Sequence, residues 1–178
     1  MDEEEIVERC RAGDLEAYRM IYVRYEQPLL RTAYRMLGRQ EEAEDAVQEA
    51  FLRLYRGIAG FRRGARLSTY LFRILMNACY DILRKRRKVD FEDFDPAILP
   101  ADPAHELRHF LADAVDRLPR RMKACFVLFA VEEFTHEEIA RIMDLSLGSV
   151  KVNIHRAKKK LRTLLGETVR EEDAHGVR

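Results

Sequence analysis

Glycine and proline are scarce in this chain, eight and five among 178 residues, which excludes collagen-like and turn-dominated architectures and leaves most of the sequence free to be helical. Cysteine is scarcer still. Cys10, Cys79 and Cys125 are odd in number and far apart, without a Cys-x-x-Cys or Cys/His spacing that would make a zinc site, and read as reduced, mostly buried thiols. No apolar run approaches the ~18 residues of a membrane span. The first residues, MDEEEIVERC, are acidic where a secretory leader would be basic and then apolar, so the expectation is a cytoplasmic protein with no membrane insertion. A glycine-rich phosphate loop, a metal-ligand cluster and a nucleophile with a base beside it are missing too; the chain is not read as an enzyme, and no cofactor is implied. His105 and His109 would share a helix face but have no third ligand nearby, and no metal is assigned to them.

Charge is abundant and nearly balanced: 32 Lys and Arg against 31 Asp and Glu leave a net charge of +1. Its distribution is uneven. From Phe61 to Lys88, FRRGARLSTYLFRILMNACYDILRKRRK, nine basic residues (Arg62, Arg63, Arg66, Arg73, Arg84, Lys85, Arg86, Arg87, Lys88) face one acid, Asp81, nine minus one giving +8. Phe61, Tyr70, Phe72 and Tyr80 interleave with them. Basic side chains hold a polyanion, and flat aromatic faces can stack unpaired bases; a basic helix end over core aromatics would look the same.

Taken in order, Leu15, Tyr18, Tyr22, Tyr25, Leu29, Ala33 and Met36 recur at helical spacing, with Asp14 as N-cap, Gly38 as terminator and Pro28 expected to kink or divide the helix near Gln27. Ala43, Val47, Ala50, Leu54 and Ile58 form the inner stripe of a second helix. Its other face carries Glu41, Glu42, Glu44, Asp45, Gln48 and Glu49, a surface unsuited to DNA and either simply solvated or turned to a protein partner. A third helix starts near Ser68 or Thr69, with Ile74, Leu75, Ala78 and Ile82 inside. Between Val89 and Glu106 the composition inverts to six acids, three prolines and no Lys or Arg, marking a linker; Phe91, Phe94, Ile98 and Leu99 within it suggest that it packs or docks.

Beyond the linker come a helix through Leu107, Phe110, Leu111, Ala114, Val115 and Leu118, and another from about Arg120 to Val131. FTHEEIARIMDLSLGSVKVNIHRAKKKLRTLLG follows. Thr135 and Glu138 fit a capping box, Asp144 and Leu145 a turn, and Ser146 the cap of a helix with Val150, Ile154, Ala157, Leu161 and Leu164 inside. Ser149, Lys151, Val152, His155, Arg156 and Lys159 point outward. Two helices with a tight turn and a basic outer face form the pattern of a DNA-binding helix-turn-helix, although a merely packing αα-hairpin shares its outline. The residues after Gly166 have no apolar stripe and are expected to form a frayed tail.

With both halves read, the chain resembles the extracytoplasmic-function (ECF, group 4) sigma factors of bacterial RNA polymerase, over roughly Asp14 to Leu165. EDAVQEAFLRLYR resembles the family's region 2.2, FRRGARLSTYLFRILMNACYDILRKRRK regions 2.3 and 2.4, and LPRRMKACFVLFAVEEFTHEEIARIMDLSLGSVKVNIHRAKKKL region 4. The resemblance implies an all-α chain of two small helical domains: region 2 over 1–90, an acidic, Pro-containing linker over 91–105, region 4 over 106–168 and a tail over 169–178. It implies that Asp45, Gln48, Glu49, Phe51 and Leu52 dock on the β′ clamp helices of the polymerase core, region 4 lying at the β flap. Phe61, Arg62, Arg63, Arg66, Tyr70, Arg73, Asn77, Arg84, Lys85 and Arg87 would bind and melt the −10 element. Ser149, Lys151, Val152, His155, Arg156 and Lys159 would read the −35 element. Tyr70 stands where the family frequently has tryptophan, Val152 where it often has serine, and Asn153 where arginine is common. An anti-sigma factor is an expected partner beside core polymerase and promoter DNA. Two other readings are a free-standing helix-turn-helix regulator, which leaves the first half without a job, and a sigma-like decoy that titrates an anti-sigma factor, which should have lost the charge of RKRRK and HRAKKK.

Overall fold

The computed structural model describes residues 3–61, 65–89 and 111–175, with side chains described as far as 86 in the fourth helix and 166 in the last. Arg62, Arg63, the linker with Phe91, Phe94, Ile98 and Leu99, both His105 and His109, and the side chain of Arg87 lie outside the described residues.

Every regular element among the described residues is helical. In chain order they are α1 (Glu3–Arg11), α2 (Leu15–Leu37), α3 (Gln40–Gly57), a 3₁₀ turn (Ile58–Gly60), α4 (Leu67–Val89), α5 (111–116), α6 (Arg120–Ala130), α7 (His136–Met143) and α8 (Leu147–His175). Asp14 caps α2, its carboxylate accepting from the amides of Glu16 and Ala17, and Gly38 ends it at φ 74°, a left-handed conformation that glycine adopts without steric cost. The helix is not divided at Pro28. One missing amide costs one backbone hydrogen bond, and Tyr25, Leu29, Ala33 and Met36, buried on either side, hold the segment together.

The buried row of α2 differs from the expected one in its first half. Ala17, Ile21 and Tyr25 face the core, whereas Leu15 is 69% and Tyr22 43% exposed. Tyr18 and Tyr22 instead lean on α3, their rings 4.8 Å from those of Tyr55 and Phe51. An amphipathic tyrosine covers a neighbouring helix while its hydroxyl stays wet, and apolar spacing alone cannot tell that from burial.

α1, α2, α3 and α4 form one bundle, α5 to α8 another. A core of Ala114, Val115, Leu118, Val127, Ala157 and Leu161 closes the second. The two bundles also pack on each other, because α4 is buried on two sides. Leu71 and Leu75 join the first core, and Phe72 meets Phe134 edge-on at 4.9 Å. Thr32 donates to Glu132 at 2.8 Å, Arg120 to the Leu83 carbonyl at 3.4 Å and Arg66 to Glu138 at 2.6 Å across the same junction. Cys10, Cys79 and Cys125 are buried free thiols; burial pushes Cys79 up to about 12 and Cys125 to about 11, which keeps both protonated and poorly nucleophilic.

The expected frayed tail is helical as far as His175. Gly166 is tolerated inside the helix, and the segment after it holds no proline and several good helix formers. No described helix is long and apolar enough to cross a membrane.

Candidate nucleic-acid interface

Arg66, just before α4, and Tyr70, Arg73, Asn77 and Arg84 on it recur at spacings that put them on one side of the helix, and all but the half-buried Tyr70 are exposed, as is Lys85. Arg73 stacks over the Tyr70 ring at 5.6 Å, and Phe61 lies beneath the same ring with centroids 5.0 Å apart. The Tyr70 hydroxyl rests over Gly57, where an added Cβ would come within 2.8 Å of it; glycine is needed there for the ring to sit down.

The four aromatics read as stacking faces divide unequally. Phe61 and Phe72 are 7% and 3% exposed and belong to the core, and Tyr80 is half-buried. Tyr70 keeps part of its surface free because Phe61, not solvent, supports its underside. Arg84 pairs with Asp81, while Arg86 turns inward to Glu42 and donates to the Leu37 carbonyl at 3.1 Å. That cation of the RKRRK run ties α4 to the end of α2.

Beside Tyr70 opens a cavity of about 470 Å³ lined by Gly60, Phe61, Ala65, Arg66, Thr69, Tyr70, Arg73 and Arg141. Arg66 and Arg73, which come from the same segment as the Tyr70 ring, suit a flat base with an anionic backbone attached. Thr69 Oγ1, on the same wall, has no hydrogen-bond partner among the described residues. Arg141 comes from α7, in the other bundle. Sequence reasoning missed it, since no local pattern reports a neighbour so distant along the chain.

In the second bundle, Thr135 and Glu138 complete the expected capping box of α7, and Asp144 makes the turn at φ 50°. Ser146 caps α8 by accepting from the Ser149 amide at 3.2 Å. Val150, Ile154, Ala157 and Leu161 are buried, so Ser149, Lys151, Val152, His155, Arg156 and Lys159 all emerge on the exposed side as the spacing predicts. Val152 is 46% exposed, an apolar contact offered among cations. Asn153 is occupied with its own helix, donating to the Ser149 carbonyl at 2.8 Å, and Lys158 lies 4.5 Å over the Phe129 ring.

A third surface has the opposite sign. Asp45, Gln48, Glu49 and Leu52 fall at successive turns of α3; Asp45 and Gln48 are exposed and Leu52 is 49% exposed. Glu49 is held by Arg53 at 2.7 Å, and Arg53 reaches Asp81 of α4 at 3.6 Å. Phe51 sits at the edge of this face, turned toward Tyr22.

Comparisons with known proteins bear on both bundles. Residues 21–89 match the family described as Sigma-70 region 2, and residues 111–161 that described as Sigma-70, region 4. The chain is 31% identical over 176 residues to the ECF RNA polymerase sigma factor SigW of Bacillus subtilis, covering 89% of this chain and 94% of that protein. It is 32% identical over 157 residues to the ECF sigma factor SigM of Mycobacterium tuberculosis strain H37Rv, covering 87% and 80%. Among solved structures it resembles the sigma factor RpoE in complex with the anti-sigma factor NepR from Bartonella quintana, with a TM-score of 0.73 and 25% identity over 84% of this chain and 96% of that one. CnrH in complex with the cytosolic domain of CnrY shares the fold at a TM-score of 0.74 and 23% identity, covering 91% and 96%.

Proposed function

Since the chain belongs to the ECF sigma factors of the sigma-70 family, we propose that it binds core RNA polymerase through α3 and directs initiation by holding a −10 element on α4 and a −35 element on α8. The observation that carries this reading is the separation of charge by element: acids and an exposed leucine on one face of α3, cations and Tyr70 on α4, cations and Val152 on α8. A protein partner and a nucleic acid can then be held at once without competing for one surface.

Region 2 is assigned to 1–90, the linker to 91–105 and region 4 to 106–168. The clamp helices of β′ meet Asp45, Gln48, Glu49 and Leu52, with Phe51 supporting the rim, and region 4 meets the β flap. On α4, Tyr70 stacks a base leaving the duplex, while Arg66, Arg73, Arg84, Lys85 and Arg87, with Arg62 and Arg63, neutralise phosphates. Asn77 offers a donor and an acceptor to a base edge. Unstacking a base costs a few kcal/mol, and stacking on an aromatic returns about 1–3 kcal/mol per base, so opening needs the ionic contacts as well. On α8, Lys151 and Arg156 read guanine edges or hold phosphate, Val152 touches a thymine methyl, and Ser149, His155 and Lys159 flank them.

RNA synthesis belongs to the polymerase, and this chain contributes binding energy and no catalytic group. An anti-sigma factor, such as the one bound to RpoE in the related structure, would silence it in the cytoplasm by covering the polymerase-docking surfaces. A free-standing regulator would have no use for the α3 face, and a decoy none for the cations of α4 and α8.

Two binding titrations test the division of labour. Asp45→Lys with Leu52→Asp should weaken binding to core polymerase at least tenfold, as expected for charge reversal and a polar insertion in an interface, while leaving the protein folded. Lys151→Ala with Arg156→Ala should leave core binding intact and lower holoenzyme affinity for −35 duplexes about tenfold or more. Equal losses in both assays from either pair would reject the assignment. Asp45 is the better probe than Glu49, whose replacement also breaks the pair with Arg53.

A further inference from the structure

α1 precedes the residues that match region 2, 21–89, and only Ile6, Val7 and Cys10 of it are buried. Two of its charged side chains nevertheless reach the segment beside Tyr70, Arg11 touching Phe61 in the cavity wall and Glu3 the first residue of α4. Arg11 donates Nε to the Ile58 carbonyl at 3.4 Å and Nη2 to the Phe61 carbonyl. Glu3 accepts the Leu67 amide on Oε1 at 2.7 Å and the Tyr25 hydroxyl on Oε2 at 3.3 Å. These are the two ends of the connection from the 3₁₀ turn to α4.

Each contact does a definite job. The Arg11 side chain is 21% exposed, and one planar fork bridging two carbonyls of a turn fixes their separation better than a single-point ammonium would. Leu67 opens α4, so its amide has no partner within the helix; a carboxylate there satisfies it and suits the positive end of the helix dipole. Burial, with the Glu3 charge nearby, pushes Tyr25 up to about 12, which keeps its hydroxyl a donor to Glu3.

Phe61 transmits the effect. Phe61, with Ala65, lines both a cavity of about 280 Å³ bordered by Glu3, Val7 and Arg11 and the basic cavity beside Tyr70. Tyr70 rests on that ring. Moving the Phe61 backbone therefore moves the floor on which the stacking ring sits.

We propose that α1 is part of the −10 recognition device of this chain, with Arg11 and Glu3 as positioning residues that set Phe61 and the start of α4, and so the height and tilt of Tyr70. The inference rests on the assignment of α4 to the −10 element. It makes base preference at the stacked position depend on a helix that lies outside the residues matching region 2.

The test uses core polymerase reconstituted with the full chain and a promoter library randomised over the −10 segment, the templates that yield transcripts being sequenced. Arg11→Ala should flatten the preference at the position facing Tyr70 and lower transcript yield about tenfold, the scale of losing a charge-assisted hydrogen bond. Arg11→Lys, with one donor point, should fall between, and Glu3→Gln, which still accepts the Leu67 amide, should restore most of what Glu3→Ala loses. Preference at −35 and affinity for core should not change. If Arg11→Ala proves too unstable to assay, Arg11→Lys and the two Glu3 variants decide. Unchanged −10 preference with wild-type initiation intact would overturn the positioning role alone, as would a uniform loss in core binding and −35 preference, which marks a general stability effect. A wild-type chain that initiates nowhere would overturn the functional assignment beneath it.

Discussion

Glu138 concentrates three interactions on one buried carboxylate. It accepts the Thr135 amide at 2.9 Å and the Thr135 hydroxyl at 3.0 Å as the second half of the capping box, and it takes Arg66 from the other bundle at 2.6 Å. Burial by itself raises its pKa, but the Thr135 bonds and the Arg66 charge outweigh that and hold it below the usual carboxylate range. A depressed pKa contributes stability that is complete above the unfolded value of about 4.3 and is lost as pH falls through the lower folded value. Glu138→Gln should accordingly cost about 1 kcal/mol at neutral pH, a drop of about 2–4 °C in thermal midpoint. Its deficit should shrink as pH falls below about 4, where the wild-type carboxylate also becomes neutral; thermal melts across pH check both. Half of this is legible in the sequence, because Thr135 and Glu138 stand in a fixed local spacing. Arg66 lies 72 positions away, and nothing in its own neighbourhood distinguishes a cation for Glu138 from a cation for phosphate.

Helices are where periodicity reads best and where it misleads in a definable way. In α8 apolar and charged positions alternate cleanly, so the inner row Val150, Ile154, Ala157 and Leu161 and the outer face follow from spacing alone. In α2 two apolar rows run side by side, and the tyrosine-bearing one lies against α3 at the surface. Ile21, 2% exposed, should then cost about 2–5 kcal/mol on truncation to alanine, whereas Leu15→Ala should stay within about 0.5 kcal/mol. Urea unfolding of the two variants distinguishes the rows, and similar losses would mean that the N-terminal half of α2 is rotated. α4 appears in sequence as a helix with one inner stripe, but Phe72, Met76 and Leu83 are also buried, on a side that only the second bundle explains. α1 is not legible as an element, because nine residues holding three buried side chains give too short a pattern.

Across the molecule, both bundles meet in a core that includes Leu71 and Leu75 from one side and Leu128, Phe134, Ile139 and Ile142 from the other. The family's two promoter elements are named for positions about 25 base pairs apart, about 85 Å along B-DNA at about 3.4 Å per base pair. A packed chain of 178 residues has a radius of gyration of about 16 Å and a diameter of roughly 40 Å. On the proposed assignment, holding both elements requires α7 to leave α4, which breaks the Arg66–Glu138 pair and withdraws Arg141 from the cavity beside Tyr70, leaving Arg66 for phosphate. The division into two bundles was legible from the composition inversion after Val89, but their mutual packing was not, because the contacts that make it, Thr32 with Glu132 and Phe72 with Phe134, join residues with no common local pattern. The most direct measurement adds the purified chain to sigma-free bacterial core polymerase on a pool of promoter fragments and maps the transcript starts. Discrete starts that require the chain are expected and, when aligned, two upstream sequence blocks separated by more than the packed bundles could span; no chain-dependent initiation despite binding to core would mean that the chain does not supply promoter recognition.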